Sequence, residues 1–106
     1  MQVPLQVTFQ NMPVSPAVEE HIRERADGLE KFFPRIISCR VSVETSAERH
    51  RKGKLFHVRI DVAVPGRDIV VNKDPPEHHA HEDVLVAVRD AFDKARRQLE
   101  DFARRA

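Results

Sequence analysis

The sequence has no tryptophan, no tyrosine, one cysteine and three glycines. Without Trp and Tyr, the aromatic content is six phenylalanines, so no phenol or indole is available for a polar anchor. The lone Cys39 cannot close an internal disulfide, which argues against a stapled secreted scaffold and for a reducing cytoplasm. Its glycines form no phosphate-cradling loop. No apolar run approaches the ~20 residues of a membrane span, and no membrane partner is expected. The opening MQVPLQVTFQ lacks both the basic region and the unbroken apolar stretch of a signal peptide. Excess charge of one sign is also missing: 18 Lys/Arg stand against 17 Asp/Glu. The imbalance is local. Residues 36–75 hold eight Lys/Arg against five Asp/Glu, and each flank is acidic by one, so any basic surface is a patch rather than a global field.

What is present is regular patterning over 106 residues, a length that buries roughly 60–65% of the unfolded surface and predicts one domain, 1–106. The last quarter, from His81 to Ala106, carries Val84, Val88, Ala91, Phe92, Ala95, Leu99 and Phe102 at helical spacing. Glu82 and Asp83 open it and Arg104 and Arg105 close it, as the helix dipole favours. On the helical wheel Lys94 and Arg105 border one side of the apolar stripe and Arg89 and Arg96 the other. Arg97 sits among the carboxylates opposite. Cations beside a buried seam are placed to face a phosphate backbone.

Earlier in the chain, Val3, Leu5, Val7 and Phe9 alternate with polar residues and predict a half-buried strand. NMPVS is a turn, Ser15 a natural N-cap and Pro16 a natural first helical residue. Val18, Ile22, Ala26, Leu29 and Phe33 then predict a helix from Pro16 to about Phe33, weakened at Gly28 and ended by Pro34. Ile37, Cys39, Val41 and Val43 mark a second strand, with Cys39 on its apolar side as a buried small hydrophobe rather than a reactive thiol. Phe56, Val58, Ile60, Val62 and Val64 mark a third. Pro65-Gly66 is a tight turn, and DIVVN (Asp68–Asn72) a short fourth strand whose register the pattern leaves open. A parallel pair needs a crossover, which the first helix supplies; short loops make the later strands an antiparallel meander. The expected fold is α+β: a two-layer sandwich in the order β-α-β-β-β-α, a four-stranded mixed sheet with two helices on its apolar face. Gln2, Gln6, Thr8, Arg40, Ser42, His57 and Arg59 fall on the other, polar face.

Two clusters stand out. RHRKGK, residues 49–54, sets Arg49, Arg51, Lys52 and Lys54 at a predicted hairpin tip, where RNA phosphate contact is preferred over a solvated turn that merely discourages edge pairing. EHHAHED, residues 77–83, gives His78, His79 and His81 spacings compatible with metal ligation, yet no Cys or further His cluster completes a tetrahedral set. A polar connector into the last helix is preferred, with no metal and no cofactor. The serines lie at caps or strand positions without an evident base, and the helix carboxylates alternate with cations. No catalytic residue is assigned, and an enzyme is not expected.

LEKFF (Leu29–Phe33), PG before a short strand, and DVLVAVRDAFDKARRQL (Asp83–Leu99) resemble the ribosome hibernation-promoting factors, in their short form. These are also called ribosome-associated translation inhibitors or sigma-54 modulation proteins. The resemblance runs over essentially the whole chain, and it implies a fold likened to double-stranded RNA-binding domains. It further implies an rRNA-binding partner, the small ribosomal subunit. The site would lie where mRNA and tRNAs pass between head and body, and idle ribosomes would be silenced there during bacterial stress. Carried over by position, it makes Lys31, Lys94 and Arg97 rRNA contacts. Two departures stand against it: Leu85 where the family mostly has Tyr, and acidic Glu100–Phe102 where many members are rich in Lys. The chain stops directly after the second helix, so a monomer off the ribosome is expected. The alternative is a protein-interaction module that modulates a transcription or stress regulator.

Overall fold

The computed structural model describes residues 1–47, 54–71 and 83–105. The elements run β1 (Gln6–Gln10), α1 (Pro16–Phe32), β2 (Ser38–Ala47), β3 (Lys54–Val64), β4 (Arg67–Val71) and α2 (Val84–Arg105). The sheet order is β1-β2-β3-β4, with β1 parallel to β2 and the other pairs antiparallel. This is the expected α+β arrangement.

Each helix begins where its cap lies. Ser15 holds an extended backbone and its Oγ accepts from the Val18 amide at 3.3 Å, with Pro16 following as a first helical residue that has no amide to satisfy. In α2 the cap is Asp83: its Oδ1 accepts from the Leu85 and Val86 amides at 2.9 and 3.4 Å. The helix therefore starts at Val84, the first residue of its apolar pattern. Phe33 caps the end of α1, its amide donating to the Leu29 carbonyl at 2.8 Å, and Pro34 prevents a further turn. Gly28 lies inside α1, where it costs about 1 kcal/mol relative to Ala.

The registers sort the strands into two faces. Val7, Val41, Ile60 and Val71 stand in one row and Cys39, Val62 and Ile69 in another, both on the face covered by the helices. Ile22, Leu29, Val88, Phe92 and Leu99 descend on these rows from α1 and α2. The opposite face carries Gln6, Arg40, Asp61 and Val70 across the sheet, then Thr8, Ser42 and Arg59. The fourth strand's register, open from sequence, is fixed by the two-residue turn at Pro65-Gly66, in which Gly66 takes φ +83°. That turn pairs Val64 with Arg67 and sends Ile69 and Val71 inward.

The N-terminal strand is shorter than its alternation predicted. Val3 is 41% exposed, and the Gln2 and Val3 amides both donate to the Ile37 carbonyl instead of extending β1. Correspondingly, Ile36 rather than Ile37 closes the core at that end. Thr45 is buried near the other end of β2, its hydroxyl donating to the Asn11 carbonyl at 2.7 Å.

Cys39 is fully buried. Burial, with a smaller push from the negative Asp61, raises its thiol from 9.0 to about 12. The folded chain thus keeps a proton that the unfolded chain gives up above its ordinary thiol range. Cys39's contribution to stability is complete below pH 9.0 and declines as pH rises toward about 12. Urea melts at pH 8, 10 and 11 should show a steeper alkaline loss for the wild type than for Cys39→Val; identical pH profiles would exclude this linkage.

Candidate nucleic-acid interface

The strand directions determine how the two helices lie. α1 leads from β1 back to the start of the parallel β2, α2 follows β4, which runs parallel to β2, and the two helices point the same way. Side-chain contacts agree: the Arg96 guanidinium carbon stands 4.4 Å from the Phe32 ring centroid, and the Phe33 and Phe102 rings lie 6.0 Å apart. The C-terminal halves of the helices therefore share one end of the layer. Lys31 from α1 and Arg96, Arg97, Arg104 and Arg105 from α2 gather there, all exposed. Their placement at two helix C-termini is electrostatically favourable. The layer as a whole is not basic, because α1 carries three cations against five carboxylates while α2 carries six against four.

The predicted contact residues separate by position. Lys31 and Arg97 lie opposite the buried stripes of their helices, at neighbouring levels, so both project away from the sheet. Arg89 and Arg96 lie on the side of α2 that turns toward α1. Arg89 pairs with Asp90 at 3.4 Å, and Arg96 has Glu100 at 3.8 Å and Phe32 beneath it. Lys94 is half-buried and lies on the side of α2 turned away from α1, one helical turn before Arg97 and next to it on the helix surface. Lys54 begins β3, paired with Ala47, rather than lying in a loop. Arg49, Arg51 and Lys52 lie outside the described residues, as do His78, His79 and His81.

The open sheet face offers its cations less freely. Arg59 donates to both carboxylate oxygens of Asp61, at 3.2 and 3.4 Å, and Arg40 stands directly across from Asp61 in the register.

Between the helices runs a cleft of about 200 Å³ that the sequence reading did not find. Glu24, Arg25 and Leu29 wall it from α1 and Phe92, Asp93 and Arg96 from α2, with Gly28 also lining it. The available signal was the unexplained glycine inside an otherwise strong helix.

A model of the family described as Sigma 54 modulation protein / S30EA ribosomal protein matches residues 5–106. A search of curated protein sequences returns no match. Among solved structures, a ribosomal subunit interface protein from Coxiella burnetii superposes with a TM-score of 0.74 at 18% identity, over 93% of this chain and 96% of that one. The Thermus thermophilus Protein Y N-terminal domain gives 0.67 at 17% identity, over 96% of this chain and 99% of that one. At such identities the structures speak to the fold. The family match spans nearly the whole sequence, and with it the chain belongs to the Sigma 54 modulation protein / S30EA ribosomal protein family.

Proposed function

We propose that the chain is a cytoplasmic, ribosome-associated inhibitor of translation. It binds rRNA of the small subunit in the path of mRNA and tRNAs and silences idle ribosomes in a stress response. Its action is steric occupation, with no chemistry performed. The observation that carries this reading is the exposed cationic end of the helix layer. There Lys31 and Arg97 project together, on elements held rigid by a fully buried core. Family membership supplies the ribosomal context, and the similar Coxiella burnetii protein is described as a ribosomal subunit interface protein. No helix among the described residues is long and apolar enough to cross a membrane.

Sedimentation tests the reading. Purified protein mixed with small subunits should travel with them in a gradient, nuclease treatment should release it, and added protein should depress translation in a reconstituted system. Protein that stays at the top of the gradient would refute the proposal; nuclease-resistant association would transfer the contact to ribosomal protein.

We also propose a monomer off the ribosome. The exposed large apolar side chains among the described residues are Val3, Val14, Val70 and Leu85, one from each of four separate segments. Light scattering at micromolar concentration should return 12.2 kDa. A mass twice that would count against it.

A further inference from the structure

Gly28 has no structural reason to be glycine. It lies within α1, its φ is not among the positive ones, and a Cβ built on it would meet nothing within 4 Å. Alanine or leucine would make a better helix. The missing side chain therefore serves no packing contact inside the protein, and what it leaves is the open cleft between α1 and α2.

The lining of that cleft is selective. Glu24 and Asp93 are acceptors only and repel a phosphate, while Arg25 and Arg96 are donors only. The Arg96 guanidinium carbon stands 4.4 Å from the Phe32 ring centroid, and its side chain is 57% exposed. At about 200 Å³ the space suits one heterocycle and falls below the roughly 300 Å³ at which drug-sized ligand pockets begin. A flat group that offers adjacent N–H donors to a carboxylate and an acceptor to an arginine meets these conditions. Guanine's Watson–Crick edge does so, with N1–H and N2–H beside O6. Adenine, cytosine and uracil each set an acceptor where guanine has a donor, and a carboxylate would repel it.

We propose that this cleft receives a single unpaired guanine of the bound RNA, stacked on the Arg96 guanidinium, with its donor edge met by the carboxylates of Glu24 and Asp93. Unstacked bases laid on an arginine plane and read at that edge are a general mode of RNA recognition. The inference rests on the ribosome-binding reading above and deepens it: Lys31 and Arg97 position the backbone, and the cleft reads a base.

Gly28→Leu fills the cleft without a phosphate contact being lost. Its melting temperature should equal or exceed the wild type's, while its small-subunit affinity falls about tenfold, in the range that stacking of one base supplies, with an unchanged salt slope. Gly28→Ala, which leaves most of the space open, should gain stability and keep its affinity. Kethoxal, which modifies unpaired guanine at N1 and N2, should find one small-subunit guanine protected by saturating wild-type protein and reactive again with saturating Gly28→Leu. Wild-type binding with Gly28→Leu binding equally well would overturn the guanine site alone. A wild type that does not sediment with subunits would overturn both readings. Affinity lost on Gly28→Leu with no change in guanine reactivity would assign the cleft to a side chain of a ribosomal protein and likewise overturn the proposal.

Discussion

Replacing Lys31, Arg97 and Arg104 together by Ala should weaken small-subunit binding roughly 100-fold while leaving the melting temperature within a few degrees of wild type. These cations are exposed near the shared end of the two helices, and exposed charges contribute little to folding. Each charge-assisted contact to a phosphate is worth about 1 kcal/mol or more, so three lost contacts give the expected factor. The salt dependence is the more discriminating readout: the slope of log affinity against log salt should fall by up to about one unit per contact. Lys94→Ala, which removes one cation, should cost less than the triple replacement. Arg40→Ala with Arg59→Ala, on the open sheet face, is the opposing arm, because Asp61 already engages Arg59. Affinities measured at several salt concentrations decide between the faces. A larger loss in the sheet-face variant would mean that the docking surface is the sheet.

The second large effect is on stability. Ile60 is fully buried at the centre of the sheet, between Val41 and Val71, beneath the helices. Ile60→Ala removes buried methylenes and leaves a cavity that a β-sheet cannot collapse, at a cost of about 3 kcal/mol. For a domain near 100 residues that corresponds to a fall of roughly 10–20 °C in melting temperature. Urea unfolding should show a lower midpoint with an unchanged slope. Val70→Ala, on the exposed face of the neighbouring strand, should change the midpoint little. A loss under 1 kcal/mol for Ile60→Ala would show that the central row is not tightly packed.

The fold was readable because its determinants are local and periodic. Val41 and Val43, Val58 to Val64, and Val88 to Leu99 each announce one buried face at a period that only one element type satisfies. Where the reading slipped, a tertiary contact outweighed the period. Val3 continues the alternation of β1 but is drawn out of it when its amide bonds the Ile37 carbonyl, and Ile36 takes the core position that alternation assigned to Ile37. The binding surface was less legible, since the helical wheel ranks cations around one helix and says nothing of its neighbour. It placed Lys94 and Arg96 symmetrically about the stripe. Packing makes them unlike: Phe32 lies under Arg96, whereas Lys94 faces away from α1. The interhelical cleft depends on how two distant segments align, and a single glycine was its whole trace in the sequence.

The edge position of β1 sets where this protein is vulnerable to misassembly. Among the described residues β1 is hydrogen-bonded to β2 alone, in parallel pairing, and its residues alternate between exposed and half-buried. Ahead of it the Gln2 and Val3 amides hold the Ile37 carbonyl, and Met1 and Leu5 pack against the core. Native-state hydrogen exchange should find β1 opening at lower free energy than β2 and β3, as a local unit. Each such opening bares the hydrogen-bonding edge of β2, a strand of ten residues with valines on its inner face. An edge of that length and composition is a template for another chain, so a variant that holds β1 closed should aggregate less when concentrated.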